Sequence, residues 1–144
     1  MNTSSILKTA LVLIIMIMVT AMFFAAVVQA ASANIKGYRM HCGAAARIID
    51  DPYLPNLGEA VLNRRYMILN KRLLSRYPSA VARLVFLHEC GHLQGIISEI
   101  RADCWAVRIA KRQGWLRAKH FRSICRSFGG NRHRCRAMRR CYRG

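Results

Sequence analysis

The sequence predicts a mainly α domain with a short β element, an α+β fold. Residues 79–94 (SAVARLVFLHECGHLQ) are rich in Ala, Leu and Val and lie between Ser79, a candidate N-cap, and Gly95, a natural C′ residue. Residues 99–113 repeat that grammar between Ser98 and Gly114. Four residues separate the two stretches, a connection short enough to imply an antiparallel helix pair. The third observation is the loose alternation of VLNRRYMIL, residues 61–69, with a β-rich centre at residues 66–69.

In chain order, the first element is an apolar leader. Lys8 is followed by twenty uncharged residues, 9–28, and then by small residues in Val28-Gln29-Ala30 and Ala31-Ser32-Ala33. Residues 1–30 therefore predict a signal peptide and an exported protein, periplasmic or secreted. The length of the run leaves an uncleaved N-terminal membrane anchor as the alternative. Residues 31–128 form the expected domain. Its first part, 34–60, reads as irregular, punctuated by Asp51-Pro52, Pro55-Asn56 and Gly58, with a short helix near 42–48. A strand at 66–69 and a helical turn at 71–76 precede the helix pair, and a third helix is expected over 115–128. Residues 129–144 read as a basic loop stapled by its cysteines.

Composition bounds the rest. Six cysteines in a small exported chain favour disulfides, with 15 pairings open. Cys90 reads as a small buried thiol, or as a partner for Cys104 on the facing helix. The charge balance is 24 Lys+Arg to 6 Asp+Glu, and no acid follows Asp103. Such a field keeps a small protein soluble and favours anionic partners, here an envelope polymer or a membrane surface. Export and the lack of aromatic–basic interleaving disfavour nucleic acid. The sequence carries no signal of oligomeric state.

Against that basic background, half of the acids and two of five histidines fall within residues 86–105, FLHECGHLQGIISEIRADCW. His88-Glu89-Cys90-Gly91-His92 matches HExxH, a pattern expected by chance roughly once in 300 chains of this composition. Residues i and i+4 share a helix face, so both imidazoles can address one ion, and Glu89 stands where it can take a proton from a water activated there. Glu99 and Asp103 repeat the i, i+4 spacing on the second helix, whose remaining face is small at Ala102, Ala106 and Ala110. Glu99 is then the expected third ligand, and Asp103 the carboxylate behind a ligand histidine or an alternate ligand. The competing roles are a helix-start carboxylate for Glu99 and a salt bridge to Arg101 or Arg108 for Asp103. Tyr66, Tyr77, Arg101 and His120 are open candidates for a group polarising a substrate. His41, His120 and His133 read as surface or structural residues, and Trp105 and Trp115 as core.

HECGH followed by Glu99-Ile100-Arg101-Ala102-Asp103 resembles the HExxH…ExxxD signature of gluzincin metallopeptidases, and most of all small exported bacterial members. The resemblance covers about residues 61–113 and extends to the strand-then-active-helix order. It implies a minimal zincin-like core, one Zn2+ on His88, His92 and Glu99, Glu89 as general base and acid, and a peptide or protein substrate. Two other functions fit the composition: a non-catalytic zinc-binding envelope protein, and a cationic disulfide-rich protein acting on anionic surfaces.

Overall fold

A computed structural model describes Met16 and residues 30–128 and 130–144. The apolar run at 9–28, with its signal-peptide and anchor readings, lies outside these residues except for Met16. Among the described residues no helix is long and apolar enough to cross a membrane.

The chain forms a mixed α+β fold. Strands β1 (Ala31–Ile35) and β2 (Tyr38–Cys42) make an antiparallel hairpin. Its turn places Lys36 and Gly37 at φ +52° and +87°, and Asn34 Oδ1 accepts from the Gly37 N–H. A second sheet has the order β3-β5-β4, where β3 is Arg47–Asp50, β4 Gly58–Val61 and β5 Tyr66–Leu69. β5 pairs parallel with β3 and antiparallel with β4, which leaves β4 at an edge. Helices α1 (Lys71–Leu74), α2 (Ser79–Leu93), α3 (Glu99–Arg112), α4 (Phe121–Ser127) and α5 (Arg132–Arg143) follow.

Two expectations fail at the level of local structure. Residues 34–60 carry β2, β3 and the ends of β1 and β4 between turns, rather than irregular chain alone, and no helix forms at 42–48. A run that short is a marginal helix, and Ile48-Ile49 pair instead with Met67 and Ile68 of β5. The C-terminal residues are likewise a helix, not a loop. Asn131 caps it by accepting from His133 N and Arg134 N. Its inward positions Arg134, Ala137, Met138 and Cys141 follow the spacing of a helix face, and they dock on α3.

Helix α2 is the centre of the molecule. It is buried from Ala80 to Gly91 except at Arg83, because the β5 residues Met67 and Leu69 cover one side and α3 another. The expected Ser79 cap is displaced by one residue: Pro78 precedes the helix, and its carbonyl accepts from Val81 and Ala82. α3 lays Ala102, Ala106 and Ala110 against the core, all fully buried. The two axes approach so closely that a Cβ on Gly91 would stand 3.1 Å from the Trp105 ring.

Three disulfides fasten this arrangement. Cys42–Cys90 ties β2 to α2, Cys104–Cys141 ties α3 to α5, and Cys125–Cys135 ties α4 to α5. Cys90 is thus bonded to the hairpin and not to Cys104. Helices α2 and α3 need no cross-link, since the turn between them already fixes their register.

Candidate metal centre

Six residues separate His92 from Glu99, and the turn from α2 to α3 brings Glu99 back across them. Gly95 adopts φ +89°, its N–H donates to His92 O, and the Ile96 N–H donates to Gly91 O. This is the Schellman closure of a helix C-terminus, and it reverses the chain within one turn. Ser98 then caps α3 by accepting from the Arg101 N–H. His88 consequently faces Asp103, and His92 faces Glu99.

The donor atoms converge. His88 Nε2 and His92 Nε2 are 3.0 Å apart, and Glu99 Oε2 and Oε1 lie 3.2 Å from the first and second respectively. One ligand atom from each of the three residues falls within 4.8 Å of the others, so His88, His92 and Glu99 could hold a metal ion. The far nitrogens are spoken for. His92 Nδ1 is 2.7 Å from the Ile96 carbonyl, which can only accept, so this nitrogen donates there and Nε2 is the one turned toward the site. His88 Nδ1 is 2.8 Å from Asp103 Oδ1, although off the N–H axis, so that contact is electrostatic rather than a linear hydrogen bond. Two imidazoles and a carboxylate, oriented from behind, are a donor set suited to a divalent transition ion.

The charges around this set are coupled. Asp103 is only 1% exposed, yet its carboxyl stays below the usual range. Burial opposes ionisation there, but His88 and a bidentate Arg134 outweigh it, with Nε and Nη2 at 2.7 and 2.8 Å. Burial likewise disfavours a charged His88, and the nearby carboxylates of Asp103, Glu89 and Glu99 still lift its pKa above the ordinary value. Arg134 also places Nη1 3.2 Å from Glu99 Oε2. It therefore bridges both acids of α3.

Glu89 stands apart from the donors. It is 8% exposed and lines a cleft of about 630 Å³ with His88, His92, Glu99, Tyr77, Phe128 and the edge strand β4. Burial pushes its carboxyl up to about 7, helped by Glu99 and Glu59 and opposed by His88 and the Ala60 N–H that donates to it. A carboxyl with that proton affinity suits proton exchange near neutral pH.

Gly58 makes room for this carboxyl. A Cβ there would sit 2.9 Å from Glu89 Cγ, 3.1 Å from Leu69 Cδ2 and 3.3 Å from Val85 Cγ1. Leu69 and Val85 belong to the packed core, so Glu89 is the group that must move. Gly58→Ala is expected to cost about 1–3 kcal/mol in overpacking and to displace Glu89 while leaving the donor set intact. Thermal melting beside metal content measures this, and lowered metal content would contradict it.

Arg134 is the residue that sequence reasoning missed. Asp103 pairs with it and not with Arg101 or Arg108, both of which are exposed. The available signal was its place in α5: it is the one arginine in register with Ala137, Met138 and Cys141. Of the other candidates, Tyr77 lines the cleft, Arg101 points to solvent, and His120 Nδ1 accepts from the Arg117 N–H away from it. His41 and His133 are exposed, and both tryptophans are partly buried against the core. Comparison of the chain with protein-family models, curated proteins and solved structures finds no match.

Proposed function

We propose that the protein is an exported zinc-dependent metallopeptidase of gluzincin type. The observation that carries this reading is the convergence of His88, His92 and Glu99 beside a buried, unligating Glu89 in one cleft. Zinc held by the three donors would supply Lewis acidity toward a scissile carbonyl and acidify a water. Glu89 accepts the proton of the attacking water and returns it to the leaving amine. Asp103 and the Ile96 carbonyl hold the two imidazoles in orientation. The exposed edge of β4, running along the cleft through Gly58, Glu59 and Ala60, offers backbone groups to an extended peptide. Arg134 carries a fixed positive charge at the cleft wall, next to where negative charge would develop.

A second reading, a zinc-binding envelope protein without hydrolysis, is favoured by one contact. The Arg134–Glu99 pair engages the carboxylate that is needed as a ligand. Metal analysis of the purified protein tests the shared part. One zinc per chain is expected, removed by a chelator and lost or weakened at least ten-fold in Glu99→Ala. Hydrolysis of a mixed peptide library that stops on chelation and resumes with zinc supports the peptidase. Zinc binding with no cleavage of any peptide leaves the second reading, and a zinc-free protein removes both.

A further inference from the structure

Helix α5 has two faces of opposite use. Inward it presents Arg134, Ala137, Met138 and Cys141. Outward, Arg132, Arg136, Arg139, Arg140 and Arg143 are all exposed, and at 3.6 residues per turn they fall within an arc of roughly 100°. The stripe runs the length of the twelve-residue helix. Arg122 and Arg126, exposed and four residues apart on α4, continue it onto the neighbouring helix. Between the two helices a groove of about 390 Å³ is lined by Arg126, Arg132 and Arg136 around the Cys125–Cys135 bridge.

This stripe works against the helix that bears it. Arg132–Arg136, Arg136–Arg140 and Arg139–Arg143 are like-charge pairs at i, i+4, each mildly destabilising. Arg132 also sits in the first turn, which holds no acid, where the helix dipole disfavours a cation. Among the described residues none of the five outward arginines forms an ion pair; Arg139 lies over the Phe121 ring. Two disulfides, through Cys135 and Cys141, hold α5 in place despite the repulsion. A basic surface held in place from its inner side, and that no acid among the described residues neutralises, is complementary to an external array of anions.

We propose that the outer faces of α4 and α5 dock the protein on a membrane bearing anionic phosphate headgroups. The guanidinium fork matches phosphate oxygens bidentately, and the groove between the helices brings three such forks to one place. Among the described residues no exposed Phe, Tyr or Trp stands among these arginines to stack on a base, which sets the face apart from a single-strand nucleic-acid platform. The apolar run at 9–28, read from the sequence as a signal peptide or anchor, would bring the chain to the same surface. The docking face is independent of the zinc reading.

The test uses the full-length oxidised protein and sedimentation with vesicles of phosphatidylglycerol and phosphatidylcholine, against vesicles of phosphatidylcholine alone. The ratio of the two affinities cancels any insertion of the apolar N-terminal run. Arg132→Gln/Arg136→Gln/Arg140→Gln is expected to lower that ratio roughly a hundredfold, at about five-fold per arginine. The control Arg64→Gln/Arg72→Gln/Arg76→Gln removes the same charge from exposed positions elsewhere and is expected to keep the ratio within a few-fold. The stripe variant should melt no lower than wild type, since it relieves repulsion. Equal losses in the two variants, no preference of wild type for anionic vesicles, or displacement from them by duplex DNA at equal phosphate would each overturn the proposal.

Discussion

Glu89→Gln is expected to lower peptide hydrolysis by roughly 10²–10⁴-fold while zinc stays bound at one ion per chain. The substitution preserves shape: the side chain still fills the space left by Gly58, and its carbonyl can still accept from the Ala60 N–H. It removes one property, the ability to take and return a proton. Because Glu89 is not among the converging donors, metal content separates a lost base from a lost site. Stability should not fall, since a neutral amide replaces a carboxyl that burial already disfavours as a charge. Unchanged hydrolysis in the variant would remove Glu89 from the mechanism.

Asp103→Ala is expected to destabilise the fold by about 3–5 kcal/mol and to weaken zinc binding ten- to a hundred-fold. Asp103 is the hub of a buried network in which Arg134 makes two bonds and His88 a close contact. Removing it strips the arginine of its buried bidentate partner and leaves only the exposed Glu99 carboxylate as counter-charge, and the cost of that poorly compensated charge exceeds the worth of the pair itself. His88 also loses what orients its ring. Arg134→Leu approaches the same network from the other side and should likewise destabilise, because it leaves the Asp103 carboxylate without its cation. Urea unfolding and zinc titration of both variants provide the measurements. A melting temperature unmoved in both would show that the network carries no stability.

The donor set was legible because its information is local. HExxH and ExxxD state their geometry through helical periodicity, and Gly95 signals the turn that joins them. The outer strands of the second sheet were not legible for the opposite reason. Arg47–Asp50 and Gly58–Val61 are four-residue strands whose only cause is pairing with Tyr66–Leu69, a non-local event that local texture does not report. α5 was hidden by its own charge: six arginines in twelve residues resemble a solvated tail, although the inward spacing of Ala137, Met138 and Cys141 was present throughout. Arg134 was lost with it. The pairing of Cys90 with Cys42 could not be read, since it depends on where the β1–β2 hairpin lies.

The compactness of the donor hairpin also bears on the order of folding. His88, His92 and Glu99 lie within twelve consecutive residues, joined by a turn that closes on its own hydrogen bonds. Closing so short a segment costs little chain entropy and occurs early. Asp103's cation comes from 31 residues downstream, and the strand that seats Glu89 from nearly as far upstream. In the proposed peptidase, ion capture and catalytic competence would therefore be separable stages of maturation: the first a local event of two helices, the second waiting for long-range assembly.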